Sequence, residues 1–256
     1  LAGCSAGDSG PDASSGDSSD PIAVMAAFYP LQYAAEQVGG ADVTVTGLTP
    51  PGAEAHDVEL TPQQIAEVSE ADLILYIKGF QPAVDEAVAQ VAPDKAVDVS
   101  QGITLLKGEH SEAEATGEQA AGEGSVTDPH IWLDPLNMVT IADTITARLG
   151  EIQQDNSTTF AANAATLDQQ LTDLDEQWSA QTGQCASRDL VVSHEAFGYL
   201  AARYDFMQRG ISGLSPEAEP SPAKVAEVTD FVRKNNVKTI YFETLVDPKV
   251  AETVAA

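Results

Sequence analysis

Short apolar runs alternate with amphipathic stretches along most of this chain. Residues 22–28 form an apolar run bounded by turn residues, the pattern of a buried parallel strand. Residues 31–38 read as a helix closed by Gly39-Gly40. Residues 43–48 alternate Val and Thr as a second strand, which feeds the Pro50-Pro51-Gly52 loop. Thr61-Pro62-Gln63-Gln64 combines a capping Thr, a Pro in the first turn and a Gln three residues past the cap, so a helix starts there. Residues 73–77 and 96–99 supply further strands, with a helix over 82–91 between them. Strand and helix in strict alternation predict an α/β fold built on parallel sheet.

Residues 107–128 break that rhythm. They are rich in Gly, Ala and Glu and carry no apolar period, which predicts a solvated surface loop. Its one histidine, His110, is too little to collect metal. Asp134-Pro135 then opens a helix to about residue 149. Over 157–180 the apolar residues Phe160, Ala164, Leu167, Leu171, Leu174 and Trp178 recur at steps of three and four. That is one amphipathic helix, and at about 1.5 Å per residue it spans roughly 36 Å. Residues 190–193 restart the β-α rhythm, followed by a helix at 222–235 and a strand at 237–242.

Composition narrows the function. The 256 residues include 40 acidic against 12 basic side chains, a formal charge of −28, which excludes a nucleic-acid partner. No apolar run reaches the length of a membrane span. Leu1-Ala2-Gly3-Cys4 looks like the end of a bacterial lipoprotein signal, with Cys4 as the lipidated residue. The Ser-, Gly- and Asp-rich segment that follows is too polar to fold and reads as a tether over residues 1–20. The expectation is an extracytoplasmic protein anchored to the cell membrane by its lipid.

Three of the four histidines fall where a strand or Pro-rich loop gives way to a helix: Glu54-Ala-His56-Asp57, Asp128-Pro-His130-Ile-Trp-Leu-Asp134, and Ser193-His194-Glu195. In α/β folds those junctions are strand ends, where ligands bind. Neutral imidazole suits Zn²⁺, and three leave one tetrahedral position open. A third imidazole at His194 favours Zn²⁺ over Mn²⁺, a harder cation that prefers oxygen. Asp57 and Asp134 flank ligand histidines and could orient a ring, although Asp134 also suits a helix cap and Asp57 a turn.

These motifs, with Phe28-Tyr-Pro-Leu31 and Tyr241-Phe-Glu-Thr-Leu-Val-Asp-Pro248, resemble the zinc- and manganese-binding lipoproteins that deliver metal to bacterial ABC importers. The resemblance covers nearly all of residues 21–256. It implies two α/β lobes, each a mainly parallel sheet flanked by helices, at residues 21–156 and 182–256, with residues 157–181 as a rigid linker helix. It implies that His56, His130 and His194 are metal ligands in the interlobe cleft. The family's usual fourth ligand, a C-terminal Asp before Pro-Leu, is expected to fall after Ala256, which leaves Glu54, Glu195, Glu219, water or that later segment. Relatives also bear a disulfide from the Cys185 region to a C-terminal cysteine; here Cys185 is either orphaned of a partner beyond Ala256 or a buried free thiol. The implied protein is a monomer and no enzyme, serving the membrane permease of an importer. Two rivals stand beside it: a zinc hydrolase with Glu195 as base, against which no His-Glu-x-x-His is present, and a metal-bearing surface adhesin.

Overall fold

The computed structural model describes residues 20–108, 126–245 and 247–256. Its first sheet contains β1 (Ile22–Ala26), β2 (Val43–Gly47), β3 (Leu73–Tyr76) and β4 (Ala96–Asp98), all parallel, in the order β2-β1-β3-β4. β1 sits between two neighbours and buries four of its five residues, which is why its sequence is apolar without alternation. The connecting helices are α1 (Tyr29–Gly39), α2 (Pro62–Glu70) and α3 (Pro82–Val91). α1 buries Leu31, Ala34, Ala35 and Val38 and closes at Gly40, whose φ of +58° suits a residue without Cβ. The capping box on α2 forms as its sequence predicts: Thr61 accepts from the Gln64 amide and Gln64 returns the bond to Thr61.

Two long helices cover this sheet, α4 (Pro135–Ile152) and α5 (Ser157–Thr182). Ile141, Ile145 and Leu149 of α4 and Phe160 and Leu167 of α5 are fully buried against the core of the first sheet. The amphipathic stripe of α5 holds for its first half only. Leu174 and Trp178 are each 41% exposed, because the helix has run past the first core; Trp178 instead stacks on Tyr204, with ring centroids 5.7 Å apart.

A second parallel sheet, ordered β8-β7-β9, comprises β7 (Asp189–Val192), β8 (Met207–Gly210) and β9 (Ile240–Tyr241). Helices α6 (Gly198–Tyr204), α7 (Pro222–Asn235) and α8 (Lys249–Ala255) accompany it, and Val191, Ile211, Val228, Ala251 and Val254 form its separate small core. The chain is therefore α/β with two parallel sheets, each with its own apolar centre.

Several local readings change. The strand expected over 237–242 shortens to β9. β8 was not legible because Met207-Gln-Arg-Gly210 is an edge strand with a mostly polar, exposed sequence. The loop expected over 107–128 is tied at its base by a two-residue antiparallel pair, β5 (Lys107–Gly108) with β6 (Val126–Thr127). Residues 109–125 with His110, and the 1–19 segment with Cys4, lie outside the described residues. Cys185 is a free thiol but exposed, so the buried alternative is corrected: it follows the end of α5 in a surface turn.

Candidate metal centre

Each of the three histidines is held by its own piece of backbone. The loop after β2 carries His56, and buried Gln81 pins that loop through bonds to the Ala55 carbonyl (2.8 Å) and the Thr49 hydroxyl (3.0 Å). Gln64 adds a bond to the Leu48 carbonyl at 3.0 Å, so the α2 cap also anchors the loop. His130 sits immediately before a single 3₁₀ turn, Ile131–Leu133, that leads into α4. His194 follows β7 by two residues, beyond the carboxyl end of that strand. These placements at the ends of two sheets are those that ligand sites in α/β proteins favour.

The three rings converge. His56 Nε2 lies 3.1 Å from His130 Nε2, and His194 Nε2 lies 3.4 Å from the same atom. Each offers one donor atom within 4.8 Å of the others, and among the described residues the cluster consists of these three side chains. His130 and His194 are buried and His56 is half-buried. Phe80 meets His56 edge-on at 4.7 Å, and Trp132 lies 5.2 Å from His130, so aromatic side chains back the site.

The remaining ring nitrogens decide what the convergence means. His130 Nδ1 lies 2.8 Å from Asp128 Oδ1, which also accepts the His130 amide at 2.9 Å. His194 Nδ1 lies 3.0 Å from Glu243 Oε1, and the Ser193 hydroxyl donates to the other oxygen of Glu243. A carboxylate opposite Nδ1 places the proton there in neutral imidazole. His130 Nε2 is then a bare lone pair facing the Nε2 atoms of His56 and His194, whereas His194 Nδ1 has only the ion-pair contact with Glu243 and, among the described residues, no hydrogen bond. Burial, followed by its two histidine neighbours, pushes His56 down to about 3. Burial also lowers His130, against the opposing pull of Asp128. Burial raises Glu243, but His194 and Ser193 outweigh it and the carboxyl ends below its usual range. Converging imidazole nitrogens with carboxylates set behind two of the rings are the donor set of a metal such as Zn²⁺.

The other candidates are elsewhere. Glu54 accepts the His56 amide at 3.1 Å and helps shape the loop. Asp57 is exposed. Asp134 caps α4 through the Leu136 amide at 2.9 Å, and its Oδ1 lies 3.7 Å from Arg203; it orients no imidazole. Glu195 packs its stem against Gly210, and Glu219 lines a separate cavity of about 570 Å³ beside Ser193 and Ser212. The orienting roles fall to Asp128 and Glu243, which the sequence reading passed over although both lie inside the motifs it singled out. Asp128 had a signal, an acid two residues before a ligand histidine. Glu243 had none short of knowing that β9 lies beside β7.

The family described as zinc-uptake complex component A, periplasmic (ZnuA), matches residues 24–256. The chain belongs to the ZnuA family. It is 32% identical over its whole length to the high-affinity zinc uptake system protein ZnuA of Bacillus subtilis strain 168, covering 81% of that protein. The zinc-binding lipoprotein AdcA of Streptococcus pneumoniae strain R6 is 31% identical over 91% of this chain; the chain spans about half of it, 47%. Among solved structures, the laminin-binding protein of Streptococcus agalactiae, described as having adhesin and metal-transporting activity, superposes with a TM-score of 0.80. It is 29% identical, over 92% of this chain and 85% of that one. ZnuA-family membership makes this chain an extracytoplasmic solute-binding component of an uptake system, and not an enzyme. The hydrolase alternative falls with it.

Two outcomes follow. Asp128→Ala removes the partner of His130 Nδ1 without touching a ring, and zinc affinity should fall by about 10- to 100-fold; Asp57→Ala should leave it unchanged. Chelator competition checks both, and equal affinities for wild type and Asp128→Ala would refute the orienting role. The second concerns acid and the zinc-free protein. Folded His56 and His130 have lowered pKa values, whereas in the unfolded chain they titrate near about 6.5. Below that pH the unfolded chain takes up protons that the folded chain refuses, so this stability is complete above about pH 7 and is lost as pH falls towards about 3. The slope approaches about 1.4 kcal/mol per pH unit for each histidine. Urea unfolding at pH 7 and pH 5 measures it; a higher midpoint at pH 5 would contradict the sign.

Proposed function

We propose that this chain captures Zn²⁺ between His56, His130 and His194 and delivers it to the membrane permease of an ABC importer. The observation that carries the reading is the convergence of the three rings: His56 Nε2 and His194 Nε2 lie 3.1 and 3.4 Å from His130 Nε2, and Asp128 pins the His130 ring at Nδ1. Three borderline nitrogen donors gathered at one point favour Zn²⁺ over Mn²⁺. The fourth position is left for water or a carboxylate oxygen. The zinc-binding names of the Bacillus and Streptococcus relatives support the same cargo.

The reading extends to the anchor. Cys4 carries the lipid, and the monomeric two-lobed body at 21–256 works at the outer face of the cell membrane. The S. pneumoniae relative, named a lipoprotein, supports this placement.

Alanine at His56, His130 or His194 should each lower zinc affinity at least 100-fold, measured by competition with a fluorescent chelator. Stoichiometric zinc in the triple variant, read by elemental analysis, would sink the ligand assignment. In cells, Cys4→Ser should move the protein from the membrane fraction to the soluble extracytoplasmic fraction while the purified variant binds zinc as before. A Cys4→Ser protein that still sediments with membranes would exclude the lipid anchor.

A further inference from the structure

Helix α6 belongs to the second unit by chain order, yet its first turn is buried in the first. Tyr199 is 4% exposed and packs within the large core around the first sheet, not the small core around β7. Its hydroxyl donates to the Asp128 carbonyl at 2.8 Å and accepts from the Leu106 amide at 3.0 Å. Those two residues are already partners, because the Asp128 amide donates to the Leu106 carbonyl at 3.0 Å. In an antiparallel hydrogen-bonded pair the second bond would run from Leu106 N–H to Asp128 C=O. Here the Tyr199 hydroxyl is inserted into that bond and completes the ladder from the other side of the cleft. Burial pushes the phenol up to about 12, so it keeps its proton and can donate at neutral pH.

The neighbouring residue presses on the same point. A Cβ at Gly198 would lie 2.5 Å from Asp128 Oδ2, the oxygen whose partner, Oδ1, orients His130. Gly198 and Tyr199 therefore touch Asp128 on its carboxylate and its carbonyl. They stand four and five positions after His194. One short segment thus links the ring contributed by the second unit to the carboxylate that aims a ring of the first.

We propose that Tyr199, seated through Gly198 against Asp128, is a positioning residue that sets the spacing and aim of His194 relative to His130. This rests on the ligand assignment proposed above. Tyr199 touches no metal; it acts by locking the two halves of the donor set together, so that the site is preorganised before the cation arrives. Preorganisation of this kind acts mainly on how long the ligand stays. A second tie lies one turn further along α6, where Arg203 makes a bidentate pair with Asp175 of α5 at 2.7 and 2.6 Å. That tie holds the helix but is remote from the imidazoles, which makes it a control.

The test compares Tyr199→Phe, Gly198→Ala and Arg203→Lys in the full chain, loaded with Zn²⁺ or with Co²⁺, whose visible spectrum reports the geometry of its ligands. Tyr199→Phe keeps the ring and deletes only the hydroxyl. We expect it to release zinc about tenfold faster into excess chelator and to change the Co²⁺ spectrum. Gly198→Ala should do the same by displacing the Asp128 carboxylate. Arg203→Lys should lower Tm and leave the Co²⁺ spectrum as in the wild type. If Tyr199→Phe fails to fold, Gly198→Ala decides. Wild-type spectra and zinc release in both variants, while His56→Ala abolishes binding, would overturn the positioning role and leave the ligand assignment standing. Full zinc binding by His56→Ala, His130→Ala and His194→Ala would instead overturn the ligand assignment, and this inference with it.

Discussion

Two imidazole nitrogens, of His56 and His194, within 3.1–3.4 Å of a third, on His130, constrain the packing around them. Asp128 claims the Nδ1 proton of His130, so in its neutral form that ring offers only a lone pair at Nε2, and the other two rings crowd upon it. Protonating the rings instead is opposed by burial and by the rings' mutual repulsion, which together depress His56. The folded protein therefore keeps an electron-rich point in a poorly solvated place, and the surrounding packing must hold it there.

That packing comes from both units. The His56 loop is tied to the first sheet through Gln81, Thr49 and Gln64, and His130 is fixed at the foot of α4. His194 arrives on a different sheet and could drift from the others if its unit moved freely. It is restrained by α6 through Tyr199 in the first core, while Arg203, which reaches both Asp175 on α5 and the Asp134 cap of α4, holds the helix itself. α5, 26 residues long and so roughly 39 Å, serves as the beam against which both sides are braced. Relative motion between the units must break buried polar contacts, which favours small adjustments at the cleft over wide opening.

What the sequence revealed follows from how each feature is encoded. Buried strands such as β1 and β3 and capped helices such as α2 write themselves locally, in apolar runs and in Thr-Pro-Gln-Gln, and could be read. The three converging histidines were readable because each stands at a strand-to-helix junction in a chain with few histidines. β8 was hidden because an edge strand needs little apolar sequence, and α6 because seven residues give too short a period. Asp134 misled because a carboxylate beside a histidine motif suits a cap and an orienting partner equally well, and the helix end claimed it. Glu243 was beyond reach because its role exists only through the pairing of β9 with β7, which brings the Tyr241 carbonyl onto the Ser193 amide.

The use of carboxylates, where a backbone carbonyl could also fix an imidazole's tautomer, has an electrostatic cause. A divalent cation held by three neutral nitrogens keeps its full charge, and a charge in a poorly solvated site is costly unless it is compensated. Asp128, buried, and Glu243, half-buried, each stand one imidazole away from the point the rings share, so a cation there would have two carboxylates behind its donors. Had those carboxylates been direct ligands, the site would have offered hard oxygen and lost its preference for nitrogen-loving metals. Set behind the rings, they neutralise the cation and raise the basicity of the donors while leaving the contact atoms as nitrogen.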